Sequence, residues 1–168
     1  MTHEKGIIPM ALLDKGKALR SLPKTVALLR YILQDVTQEQ AMNSWDGDWN
    51  VVFVVCHLRD LEAVYLERVH MMLREDNPTF RDHDNQAAAI ANNYAGADLR
   101  TALAEFEALR REFIALLKSI SADQWERRGQ HPYFGETTIL TQAINNAIHD
   151  IDHIEQIARA LGKTTLWQ

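Results

Sequence analysis

His149 and His153 lie four residues apart in the segment NNAIHDIDHIEQIA, residues 145–158. On a helix, positions i and i+4 point about 40° apart, so both imidazoles leave the same face. That spacing suits two imidazoles on one metal ion. Two histidines at the edge of a core would show it as well, and a bare H-x3-H does not separate the two cases. Their neighbours favour coordination. Gln142, Asn145, Asn146, Asp152 and Gln156 share a polar stripe with them, and the stripe contains no Lys or Arg. Amides, imidazoles and carboxylates can bind an ion or orient the groups that do. Asp150 falls outside this set and is expected to face solvent or a neighbouring loop.

A metal site needs a third ligand, and His57 is the best candidate. It follows the apolar run VVFVVC directly, where a buried polar group must find a partner. A core histidine bonded to a carboxylate is the alternative. Val64 and Arg68, seven and eleven positions on, point within roughly 20° of His57 on a helical wheel. Arg68 could hold an anionic substrate beside the site, or pair with a carboxylate such as Asp152. Cys56 points about 100° away and reads as a packed thiol. His131 and Tyr133, in GQHPYFGE, are candidates for a pocket wall. His70 faces elsewhere on its helix, His83 lies in a polar loop, and His3 is near the N-terminus.

The elements that must position these residues are helical. Strand-like alternation is scarce, and 7 Gly and 4 Pro punctuate the 168 residues. A first helical region covers about 9–35, with Pro23 breaking it or starting its second part. TQEQ at 37–40 has capping-box form, which predicts a short helix near 37–43. Asp48 or Asn50 caps a long helix over 50–74. Residues 86–94 form a short helix, and Asp98 caps a third long helix over about 98–119. SADQ at 121–124 predicts a helical turn ending near Trp125, and RRGQHPYFGE reads as a loop. Thr137 or Thr138 caps the fourth long helix, about 138–161, with Gly162 just past its end. Four long helices with short extra helices in the connections predict an all-α four-helix bundle, a single domain over 1–168.

Composition narrows the function classes. The net charge is −5, from 23 acidic against 18 basic residues. With no basic block, nucleic acid is a poor partner. No secretory signal and no run of about 18 apolar residues is found, so no membrane partner is expected. The one cysteine excludes an internal disulfide and fits a reducing cytoplasm.

The order W…DWNVVFVVCHLRDLEAVYLERV, then an amphipathic helix, then GQHPYFGETTILTQAINNAIHDIDHIEQI resembles the DinB-like (DinB/YfiT) superfamily of metal-binding four-helix bundles. The likeness covers about residues 20–160. His57, His149 and His153 match the family's histidine positions one by one. The resemblance implies a divalent metal, usually zinc or nickel, on three imidazoles with open positions. It also implies activity of the thiol S-transferase type, with a low-molecular-weight thiol as cosubstrate and a small-molecule substrate; homodimers are common in the family. A thiol-dependent isomerase of the family has a second domain, which is not reproduced here. The expected function is a metal-dependent enzyme that activates a small thiol or water. Metal-dependent hydrolysis, with Asp152 or Glu62 as acid or base, is one alternative. A non-catalytic, stress-related metal-binding protein is another.

Overall fold

The computed structural model describes residues 10–45 and 47–163, with side chains from Lys15 onward. His3 lies outside the described residues. Six helices and one hairpin follow in chain order: α1 (Met10–Leu33), α2 (Gln38–Met42), α3 (Val51–Arg74), α4 (Asn85–Ala91), α5 (Leu99–Ser119), β1 (Arg128–His131), β2 (Gly135–Thr138) and α6 (Ile139–Ala160). Single 3-10 turns at Tyr94–Gly96 and Gln124–Glu126 complete the connections. No helix among the described residues is long and apolar enough to cross a membrane.

Local chemistry sets the helix ends. Thr37 and Gln40 form the reciprocal capping box of α2. The side chains of Asn50, Asp98 and Thr138 accept backbone N–H groups at the starts of α3, α5 and α6. Gly162 ends α6 in the left-handed region, at φ +65°, which suits a residue without Cβ. Pro23 does not break α1. The helix runs through it, with the ring on the exposed side.

Residues 127–136 depart from the expected loop. Arg128–His131 and Gly135–Thr138 pair antiparallel, with Arg128 opposite Thr138 and His131 opposite Gly135. The strands are too short to display a period-2 pattern, so sequence periodicity does not find them. Backbone bonds from Phe80 N to Gln130 O (2.9 Å) and Gln130 N to Pro78 O (2.8 Å) fasten the hairpin to the segment after α3. Gly129 packs flat on Phe80, and a Cβ at that position would collide with the ring.

α3 packs on α5 and α6, and α1 on α6 and α5, which closes a four-helix bundle. Its apolar core falls into two parts. One gathers Leu29, Leu33, Val54, Leu58, Phe106 and Ile157; the other gathers Leu22, Tyr65, Val69, Phe113, Leu117 and Ala143. Between them each long helix places buried polar groups: Thr25 on α1, Glu62 on α3, Arg110 on α5, and Asn146 and Asp150 on α6. Amphipathic helices that packed only for burial would leave no such layer.

Candidate metal centre

Two clusters occupy this middle region, and α3 and α6 contribute to both. The first is built on Arg110, which is 1% exposed. Its Nε and Nη2 donate to Glu62 at 2.7 Å each, and Nη1 and Nη2 donate to Asp150 at 2.6 and 3.0 Å. Further bonds from the guanidinium reach Leu22 O and Asn146 Oδ1, both at 3.0 Å. Asn146 Nδ2 donates to Glu62, and Thr25 Oγ1 donates to Asp150. Burial pushes the Glu62 carboxyl above the usual range, while Arg110 and Asn146 oppose that. Every hydrogen bond to Glu62 is donated to it, so the contacts hold the carboxylate form.

The second cluster is the three histidines. His57 sits two turns into α3, and Trp49, just before the Asn50 cap, packs edge-on against it with centroids 5.5 Å apart. His149 and His153 face it from α6. His149 Nε2 lies 3.2 Å from His57 Nε2 and 2.9 Å from His153 Nε2, and the three ligand atoms all fall within 4.8 Å of one another. His57 is buried, whereas His149 and His153 are half-buried, so the cluster reaches the surface on one side.

Protonation can be followed from the surrounding groups. Gln156 Nε2 donates to Asp48 Oδ2 at 3.3 Å, which turns the amide carbonyl toward His153. That carbonyl lies 2.7 Å from His153 Nδ1. A carbonyl only accepts, so Nδ1 carries the proton and Nε2 presents a lone pair. Desolvation pushes His57 down to about 3 and His149 to about 4, and also lowers His153. All three rings are therefore neutral near pH 7. His149 Nε2 can donate to one neighbour at most, so hydrogen bonding alone does not satisfy three converging Nε2 atoms. His57 Nδ1 is also buried without a partner. The donor set fits a divalent cation: three neutral imidazoles, one of them held in orientation by an amide and a carboxylate behind it.

The remaining sequence candidates divide. Asn146 is buried in the Arg110 cluster, away from the imidazoles. Asn145 and Asp152 are exposed, though the charge of Asp152 favours protonation of His153. Asp150 corrects the expectation that it faces solvent: it is 1% exposed and bonded to Arg110. The carboxylate side of α6 is decided by where α5 places Arg110, which a wheel drawn for α6 alone does not contain. Glu62, considered as an acid or base, is held by Arg110 and Asn146. Arg68 makes no ion pair with Asp152 and instead lies over Phe80, 5.3 Å from the ring centroid. His131 Nδ1 accepts the backbone N–H groups of Tyr133 and Phe134, shaping the hairpin turn, and the exposed Tyr133 donates its hydroxyl to Asp82. Cys56 is fully buried, and desolvation raises its thiol to about 11.

Sequence reasoning missed Arg110 and the work of Gln156. A signal for Arg110 was present: it lies among Leu103, Phe106, Phe113 and Leu117 on the apolar face of α5, where an unpaired charge would be costly.

Comparison with known proteins bears on the family and the fold. A family model for the DinB superfamily matches residues 21–157. YfiT of Bacillus subtilis, provisionally named a metal-dependent hydrolase, is 29% identical over 154 residues, covering 89% of this chain and 86% of its own. OB0782 of Oceanobacillus iheyensis carries the same provisional name and is 28% identical over 140 residues, covering 83% and 79% of the two chains. The solved structure of Bacillus subtilis YfiT, described as a probable metal-dependent hydrolase with an unusual four-helix bundle topology, superposes with a TM-score of 0.76 at 26% identity. That superposition covers 98% of this chain and 95% of the other.

Proposed function

The chain belongs to the DinB superfamily, and from that premise we propose that it is a divalent-metal-dependent enzyme. His57, His149 and His153 are its ligands, and it activates a low-molecular-weight thiol for transfer to an electrophile. The observation that carries this reading is the convergence of three neutral imidazoles whose Nε2 atoms lack enough protein partners. Zinc or nickel suits an all-imidazole set. A divalent ion held by three neutral ligands would lower the pKa of a water or thiol in its remaining position.

The chain's own residues do the rest. Gln156, backed by Asp48, keeps the His153 proton on Nδ1. Trp49 and the apolar start of α3 cover His57 and keep its ring dry. The half-buried His149 and His153 leave one side open to a small molecule. Glu62 and Asp150 are engaged by Arg110, so neither is free to take a proton from water. That leaves the exposed Asp152 as the acid or base for hydrolysis, whereas a thiol, which gives up its proton more readily than water, needs less help. Hydrolysis is the second reading, favoured by the names of the YfiT-type relatives.

Turnover separates the two. Metal-loaded protein given haloaromatic and epoxide electrophiles should consume a small thiol at a rate that His149→Ala abolishes. Cleavage of ester or amide substrates without any thiol would replace this reading with hydrolysis. Neither activity, with metal bound, would leave a binding protein.

A further inference from the structure

A cleft of about 540 Å³ runs along α3 toward the hairpin, lined by Ala63, Val64, Arg68, Met71, Phe80 and His83 among others. None of the three histidines lines it. Arg68 is 7% exposed, yet no carboxylate pairs with its guanidinium among the described residues, and its Nε has no hydrogen-bond partner. Other arginines are served. Arg110 has Glu62 and Asp150, Arg59 has Asp60 and Glu105, and Arg74 has Glu67. Acids border Arg68 as well, but Glu67 is taken by Arg74, and Asp82, which receives the Tyr133 hydroxyl, acts on Arg68 through space without forming an ion pair with it. His83 Nε2, facing the same cleft, is also buried without a partner. A guanidinium this buried and unpaired lowers stability unless something pairs with it.

We propose that Arg68 anchors the carboxylate of an amphiphilic organic substrate, with the apolar part of that substrate against Val64, Met71 and Phe80. The proposal rests on the enzyme reading above and names the chemistry of its substrate. One unpaired guanidinium matches a carboxylate in fork geometry. A phosphate dianion would need a second buried cation, and the other charges of the cleft, Arg74 and Arg81 against Glu67, Glu75 and Asp82, leave one net negative charge that opposes a dianion further. The cleft and His57 share α3. Arg68 is about 16 Å from His57 along the axis of α3, with its guanidinium over Phe80. The substrate is therefore elongated, with its carboxylate at one end and its reacting group at the other.

Binding to the full-length, metal-free protein tests this apart from any turnover. The probes are 4-phenylbutyrate, its neutral amide and inorganic phosphate, followed by calorimetry and by NMR of arginine Nε–H and histidine ring signals. The carboxylate should bind about tenfold or more tightly than the amide, shifting the Arg68 Nε–H and His83 signals. Arg68→Gln should erase that preference, and Arg68→Lys should keep part of it. Should Arg68→Gln fail to fold, the carboxylate–amide comparison and the Arg68 signal in the parent protein still decide. Equal binding of acid and amide, tighter binding of phosphate, or shifts that bypass Arg68 and His83 would each overturn the proposal. Carboxylate binding in a protein without metal or turnover would uphold the subsite while the enzyme reading fails.

Discussion

The Arg110 cluster and the histidine cluster share two helices but are completed in different ways. In the first, one guanidinium meets two carboxylates, an amide and a carbonyl, and each acid accepts from more than one donor. Nothing from outside is needed. In the second, three Nε2 atoms converge, His149 at 3.2 Å from His57 and 2.9 Å from His153, and hydrogen bonds among the described residues cannot satisfy all of them. Closure marks a structural device and incompleteness marks a binding site. The two are also coupled by charge, in both directions: Arg110 opposes positive charge on His149, while the carboxylates of Asp152 and Asp150 favour it on His153.

The largest effect should come from breaking the closed cluster. Arg110→Met leaves Glu62 and Asp150 buried without their cation, and urea unfolding should show a loss of about 3–5 kcal/mol. A loss below about 1 kcal/mol would mean that the charges are rehydrated rather than buried.

Acid separates the clusters by sign. His57 and His149 are depressed in the folded protein below their unfolded value of 6.5. Their contribution is complete above pH 6.5 and is lost as pH falls toward about 4 and 3. Metal-free protein should therefore lose up to about 1.4 kcal/mol per pH unit for each histidine below pH 6. A His57→Leu, His149→Leu double variant should flatten this slope, and an unchanged slope would assign it to other groups.

The smallest effect concerns orientation. Gln156→Ala removes the acceptor behind His153 and should weaken metal affinity about 10–100-fold. Metal-free stability should stay within about 0.5 kcal/mol, because Gln156 is only half-buried. Competition with a chromogenic chelator reads the first quantity and urea unfolding the second.

What the sequence revealed follows the same division. Helix starts were legible because caps are local: Thr37, Asn50, Asp98 and Thr138 each act within three residues. The convergence of His57, His149 and His153 was legible from helical spacing joined to a family likeness. Asp150 was misplaced and Arg110 overlooked because their pairing spans α5 and α6, and no single helix encodes it. The hairpin was missed because its strands are held by contacts with Pro78 and Phe80 rather than by their own pattern.

The central claim is that the histidine cluster is completed by a metal and the Arg110 cluster is not. Elemental analysis of protein purified without chelator or added metal tests it most directly, run on the parent and on His57→Ala, His149→Ala and His153→Ala. The account predicts one divalent ion per parent chain and near-total loss in each variant, with the metal-free variants still folded. Full metal content in all three variants would contradict it.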